Sequence, residues 1–102
     1  MMENVKEILD AYKYTAQKFI EEDGSVTLTL NEIDLVENAN TEADAKKLLG
    51  EAILEYAEEY CNNFSYYSSA PNRKKHIPYV FKALMMEVPM KIGDNIECYR
   101  CY

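Results

Sequence analysis

The sequence predicts an α+β fold: an N-terminal helix, a short antiparallel β-hairpin, a long central helix, a shorter C-terminal helix and a terminal strand. Apolar residues recur at helical spacing over residues 41–64, whereas they alternate with polar residues over residues 25–37. The chain has 102 residues, 48% of them hydrophobic, which is the size and composition of one globular domain. We therefore expect a single domain over residues 1–102.

The central helix is predicted over residues 41–64. Thr41 is a good N-cap, and Asp44, three positions later, completes a variant of the capping box. One face is apolar, with Ala45, Leu48, Leu49, Ala52, Ile53, Tyr56, Ala57, Tyr60 and Phe64. Gly50 is the one weak helix former inside it, costing about 1 kcal/mol relative to Ala.

The residues before this helix predict a helix and then a hairpin. Helical spacing over residues 3–22 predicts the first helix, which Gly24 ends. Residues 25–37 alternate like a strand, but the alternation slips by one at Asn31 and Glu32. The slip indicates either a bulge in one bent strand or a tight hairpin between two strands, and we favour the hairpin. Residues 38–40 are expected to form the loop into the central helix.

Two prolines divide the residues that follow. Tyr66 and Tyr67 are expected to leave the central helix, and Pro71 and Pro78 each suit the first turn of a helix. Because Pro78 would cost about 3 kcal/mol inside a continuous helix, we expect a turn at residues 71–76 and a helix over residues 77–87. Residues 96–102 are predicted to form the last strand.

The charge is uneven along the chain. The net charge of −7 divides into 15 acidic and 5 basic residues over residues 1–64, and 3 acidic and 6 basic residues over residues 65–102. An acidic surface disfavours non-specific binding of nucleic acid and favours a basic partner, although acids also simply keep a protein in solution. No apolar run is long enough for a membrane span, and the N-terminus does not resemble a signal peptide, so we expect a cytoplasmic protein.

The sequence predicts neither a metal nor another cofactor. Cys61, Cys98 and Cys101 are an odd number of cysteines, which argues against a disulfide framework. In a strand, residues three apart point to opposite faces, so Cys98 and Cys101 are poorly placed to share zinc with Cys61 and His76. The three glycines form no phosphate-binding loop.

Two charged segments allow a functional and a structural interpretation. Arg73, Lys74 and His76 fit an RNA-contacting turn in which His76 donates a proton beside a tyrosine such as Tyr79. One short basic run in an acidic protein is weak evidence for RNA binding, so we favour a solvated basic turn that balances the acids of the central helix. Glu55 and Glu59, with Glu51, form an acidic stripe along that helix, which is more typical of a solvated face than of a metal site.

Two stretches resemble a known family. IDLVENANTEADA leads into LLGEAILEYAEEYCNNF, and SAPNRKKHIPYVFKALM follows. Their order and spacing are similar to the small bacterial antitoxins grouped as Phd-like, or RelE/RelB-type, over about residues 24–86. The more distinctive motifs are the ones around residues 70–73 and 76–79.

The resemblance implies a non-enzymatic protein that neutralises a toxin by binding it. The acidic balance fits a basic protein toxin, and the candidate partner-binding residues are Glu55, Glu59, Tyr66, Tyr67, Arg73 and His76. Many such antitoxins also bind their own promoter as dimers. A homodimer is therefore possible, but the absence of a clear helix-turn-helix or ribbon-helix-helix puts DNA binding in doubt. The alternatives are a toxin-like ribonuclease using Arg73, Lys74 and His76, or a structural homodimer.

Overall fold

A computed structural model of the chain describes residues 7–100. Residues 7–10 are helical and are called α1. The remaining elements, in chain order, are β1 (Thr15–Ile20), β2 (Val26–Leu30), β3 (Val36–Ala39), α2 (Glu42–Asn62), α3 (Phe64–Ser69), a 3-10 turn (Lys74–His76), α4 (Ile77–Met86), α5 (Pro89–Asp94) and β4 (Glu97–Arg100). The predicted α+β class, with its hairpin, long central helix and terminal strand, is confirmed.

The four strands form one mixed sheet in the order β3-β2-β1-β4. β1 pairs antiparallel with β2, β2 pairs antiparallel with β3, and β1 pairs parallel with β4. Ala16 lies opposite Leu30, and both are buried in one core with Leu28 and with Leu49 of α2. The helices therefore cover this face of the sheet, while Val36 and Tyr99, at 59% and 57% exposed, belong to the opposite face.

The long helix α2 begins where its sequence predicts, but it ends at Asn62, so Phe64 belongs to α3 and is 41% exposed. The Thr41 hydroxyl accepts a hydrogen bond from the backbone N–H of Asp44 at 3.1 Å. Its buried face includes Ala45, Leu49, Ile53, Ala57 and Tyr60. This face packs against α4, α5 and the sheet, so the predicted packing of the central helix on the helix after Pro78 is confirmed.

The backbones of α2 and α5 approach each other closely at two glycines. A Cβ added to Gly50 would lie 2.2 Å from the carbonyl oxygen of Pro89, and one added to Gly93 would lie 2.6 Å from that of Lys46. Neither position has room for a methyl group. Gly50 is therefore required by the helix crossing, which the sequence analysis, treating it only as a weak helix former, did not detect.

The prediction of a helix over residues 3–22 is wrong beyond residue 10. Residues 11 and 12 turn, and Thr15–Ile20 is a strand between two partners. Glu32 accepts hydrogen bonds from the Thr15 backbone N–H, at 2.8 Å, and from its hydroxyl. The apolar spacing of this segment mimicked a helix, but pairing with distant strands determines its structure. Residues 3–6 of the predicted helix lie outside the described residues.

The preferred hairpin is confirmed, with different bounds. Ile33 lies in the connecting loop and is nevertheless only 2% exposed, which explains why the apolar alternation slips there. The predicted loop at residues 38–40 is wrong in part, because β3 extends to Ala39. The short helices α3 and α5 were also missed: residues 66–69 do leave α2, after a break at Asn63, but they remain helical.

Candidate partner-binding site

A cluster of aromatic and basic side chains forms where the end of α2 meets α3 and the 3-10 turn. We call it the tyrosine–arginine cluster; it consists of Tyr56, Tyr60, Tyr67, Arg73 and His76. α2 supplies two tyrosines one turn apart, α3 supplies the third, and the segment after Pro71 returns the basic residues to them. The break at Asn63 allows this arrangement, since it redirects the chain after α2.

Arg73 packs against two adjacent tyrosines. Its Nη1 donates to the Tyr56 hydroxyl at 3.3 Å, and its Cζ lies 5.6 Å and 5.4 Å from the ring centroids of Tyr56 and Tyr67. The hydrogen bond to Tyr56 raises the pKa of Arg73 above its usual value. Within residues 7–100 no carboxylate pairs with this guanidinium within 4.0 Å. A fixed, half-buried cation with unused donors can accept a partner's oxygen atoms.

His76 is the buried member of the cluster and contacts Tyr56. It is 2% exposed, and its Nδ1 lies 2.8 Å from the Tyr56 hydroxyl. Burial lowers the pKa of His76, so the ring is neutral near pH 7. One ring face of Tyr56 and its hydroxyl are thereby fixed in place. His76 was predicted to contact a partner. In the structure it positions Tyr56 instead and exposes little surface to a partner.

Tyr60 and Tyr67 connect the cluster to α2 and to the acidic stripe. The buried Tyr60 hydroxyl donates to the Arg73 carbonyl oxygen at 2.9 Å, and its ring stacks on Tyr67 with centroids 5.3 Å apart. The Tyr67 hydroxyl donates to a Glu59 carboxylate oxygen at 3.1 Å. Burial raises the pKa of Tyr60, and the hydrogen bond to Glu59 raises that of Tyr67, so both phenols stay protonated.

A cavity of about 140 Å³ lies beside the cluster, at the loop of the hairpin. Its walls include Asp34 and Leu35 from that loop and Tyr56, Arg73 and His76 from the cluster. Asp34 places a negative charge near Arg73 and His76 without forming an ion pair. The site therefore joins acidic, basic and aromatic groups around a small recess.

Comparison with known proteins identifies this architecture. A family model described as the antitoxin of RelE/RelB toxin–antitoxin systems, Phd-like, matches residues 1–97. The chain belongs to the Phd-like antitoxin family. A crystal structure described as the antitoxin part of a proposed toxin/antitoxin system from Syntrophomonas wolfei subsp. wolfei is 32% identical, with a TM-score of 0.89, and the match covers 99% of this chain and 72% of that one. No curated protein sequence matches.

In this Phd-like antitoxin, four of the six predicted partner-binding residues come together. Glu59, Tyr67, Arg73 and His76 belong to one connected network, and the ring of the 70% exposed Tyr66 lies 5.2 Å from that of Tyr67. Glu55 lies on α2 one turn before Glu59 and is exposed. The sequence analysis assigned Tyr56 and Tyr60 no role here; their four-residue spacing on α2 was the available signal.

Among residues 7–100 of the antitoxin, no group of three or more His, Cys, Asp or Glu residues is arranged to hold a metal ion. Cys61 is exposed and Cys98 is half-buried, with burial raising the pKa of Cys98, whereas Cys101 lies outside the described residues. No helix among the described residues has the length and apolar character needed to cross a bilayer.

Proposed function

We propose that this antitoxin neutralises a basic toxin by binding it through the tyrosine–arginine cluster and the neighbouring acidic stripe of α2. The observation that carries this proposal is Arg73, which packs against two adjacent tyrosine rings with donors still unused. Tyrosine and arginine are the residues most enriched at the energetic centres of protein interfaces.

The cluster suits an anchor because its side chains are already ordered. Arg73 is restrained by Tyr56 and Tyr67, and Tyr67 by Tyr60 and Glu59. Binding a partner here would therefore cost little further side-chain entropy. The exposed ring of Tyr66, beside Tyr67, would supply apolar area to the contact.

The acidic stripe suits the rim of the same interface. Its residues Glu51, Glu55 and Glu59 are exposed on α2. Exposed acids would accelerate encounter with a basic protein, and this acceleration should weaken as salt shortens the Debye length from about 10 Å at 0.1 M to about 3 Å at 1 M. Glu59 has a second role, because its carboxylate also orients Tyr67.

The proposed action is binding without catalysis, in the cytoplasm, and the antitoxin is proposed to be able to form a homodimer. The ribonuclease hypothesis requires His76 to reach RNA, yet its ring is buried and its Nδ1 is hydrogen-bonded to the Tyr56 hydroxyl. RNA cleavage by the purified protein that disappears in His76→Ala would replace the binding proposal with the ribonuclease alternative. Sedimentation of the purified chain would measure the homodimer.

The direct test takes the protein that the neighbouring gene encodes as the candidate toxin and measures its association and dissociation rates by stopped flow. Glu55→Lys should slow association more than it speeds dissociation, whereas Tyr66→Ala should mainly speed dissociation. Glu21→Lys, at the exposed turn between β1 and β2, is the matched charge control. Equal slowing by Glu21→Lys and Glu55→Lys would mean that only net charge matters and that α2 is not the contact face.

Glu59 needs a finer pair of variants because it has two roles. Glu59→Gln keeps an oxygen that can accept from Tyr67 while removing the charge, and Glu59→Ala removes both. If the rim charge dominates, the two variants should slow association alike. If the orientation of Tyr67 also matters, Glu59→Ala should in addition speed dissociation.

A further inference from the structure

A second feature lies on the other side of α4, where the ammonium group of Lys82 is buried. Lys82 is 5% exposed, its Nζ donates to the Tyr12 carbonyl oxygen at 2.9 Å, and it lies 5.2 Å from the ring centroid of Tyr14. Burial lowers the pKa of Lys82, which the nearby Asp10 opposes. An ammonium group has three protons to donate, and residues 7–100 supply one acceptor.

Two cavities meet at this lysine. One of about 410 Å³ and one of about 330 Å³ are both lined by Lys82, Asp10 and Asn95. A volume of a few hundred cubic ångströms is in the range of small-molecule sites. Lys82 is therefore a buried cation, with unused donors, at the junction of two spaces that a ligand can enter.

The larger cavity has both apolar and polar walls. Leu9, Met85 and Met86 form the apolar part, while the polar part consists of Asp10, Lys82, Lys91 and Asn95. Methionine side chains adapt easily to the shape of an apolar ligand. The cavity thus offers an aliphatic chain a surface and its head group two donors.

The charges that line the two cavities favour a ligand whose head group carries one negative charge. Three ammonium groups, those of Lys13, Lys82 and Lys91, line the two cavities together with the carboxylates of Asp10 and Glu97. One positive charge is left unbalanced in a protein whose net charge is −7. A single negative charge would complete this balance, whereas a second negative charge would have no cation left to pair with.

We propose that this cavity binds a small aliphatic monocarboxylate, with its carboxylate on Lys82 and Asn95 and its chain against Leu9, Met85 and Met86. The site joins α1 to α4 and α5, because Leu9 belongs to the first of these helices and Lys91 to the last. It is distinct from the tyrosine–arginine cluster and does not rest on the proposed toxin binding.

The test is an NMR titration of the isotope-labelled full chain with hexanoate. Hexanoate should shift the resonances of Leu9, Met85, Met86 and Asn95, and Lys82→Met should weaken its binding by about tenfold or more, as expected when a charged hydrogen bond is lost. Lys47→Met, which removes an exposed lysine of α2 outside the cavity, should bind hexanoate like the unchanged protein.

Two further ligands keep the proposal falsifiable even if Lys82→Met fails to fold. In the unchanged protein, 1-hexanol has the same chain without the charge, and adipate carries a second carboxylate at the far end. Both should bind more weakly than hexanoate. Equal binding of 1-hexanol and hexanoate, shifts confined to other surfaces, or no binding of hexanoate would each overturn the proposal.

Discussion

The two halves of α2 are stabilised in different ways. The buried face of its first half, residues 42–53, is aliphatic: Leu49 and Ile53 are fully buried, and Gly50 lets the backbone of α5 approach. Its second half presents Tyr56 and Tyr60, whose hydroxyls reach polar groups of residues 73–76. The comparison indicates that the first half holds the fold together, whereas the second half arranges a surface.

The difference has an energetic consequence. A close-packed aliphatic contact is lost almost entirely when one side chain shrinks or grows, because the neighbours cannot follow. A network of hydroxyls on aromatic rings loses one hydrogen bond at a time, and a net hydrogen bond contributes only about 0.5–1.5 kcal/mol. We therefore expect substitutions in the first half to affect unfolding most and those in the second half to affect binding more than stability.

The largest effect should follow truncation in the first half. Leu49→Ala or Ile53→Ala should lower the free energy of unfolding by about 2–5 kcal/mol, because both side chains are fully buried between the sheet and the helices. Leu48→Ala is the matched control, since Leu48 is the neighbour of Leu49 and its side chain is 38% exposed. Urea denaturation measures all three, and losses below about 1 kcal/mol at both buried positions would mean that the packed face is wrongly assigned.

Gly50→Ala is the second way to challenge the comparison. Helix propensity alone would make this change stabilising by about 1 kcal/mol. The added methyl group meets the Pro89 carbonyl oxygen at 2.2 Å, so we expect instead a net loss of about 1–3 kcal/mol. Glu51→Ala, at the next and exposed position, controls for placing an alanine on this turn of α2 without the clash. A more stable Gly50→Ala protein would show that the two helices can separate at little cost.

The same contrast explains what the sequence could predict. The start of α2 and most of its buried face were predicted correctly, because its cap and its apolar stripe are local signals. β1 was wrongly predicted to be a helix. It is a strand because it pairs with Leu28 and Leu30 of β2 and with Cys98 of β4. Local spacing carries no information about such distant partners.

In the candidate site, too, local sequence signals could be predicted, whereas contacts between distant residues could not. Tyr66, Tyr67 and Arg73 could be proposed as partner-binding residues from their chemistry alone. Tyr56 and Tyr60 could not, because their polar partners lie 20 and 13 residues further along the chain. The packing role of Gly50 was invisible for the same reason, since Pro89 and Gly93 approach it only in the folded protein.

A smaller effect is expected when a hydroxyl is removed from the second half. Tyr60→Phe removes the hydroxyl that satisfies the Arg73 carbonyl oxygen, and should lower the free energy of unfolding by about 1–2 kcal/mol. Tyr67→Phe loses a more exposed bond to Glu59 and should cost less than about 1 kcal/mol. If Tyr60→Phe instead costs as much as Leu49→Ala, the two halves do not differ as described.

The smallest expected effect is a dependence on pH that belongs to the second half. Burial lowers the pKa of His76 in the folded protein below its ordinary value of about 6.5, so the unfolded chain takes up the proton first. The stability linked to His76 is therefore present above about pH 6.5 and is lost as the pH falls from there toward the lowered pKa. Between pH 7 and pH 5, the unchanged protein should lose more stability than His76→Gln, which has no such proton to bind.

Leu48→Ala, distant from this titration, should keep the pH dependence of the unchanged protein and thereby control for general effects of mutation. Denaturation at several pH values, combined with an NMR titration of the single histidine, measures both the stability and the pKa. A histidine that titrates at or above its ordinary value in the folded protein would mean that the ring is open to water. Tyr56 would then lack its support, and the anchor proposed at Arg73 would lose the order on which its affinity depends.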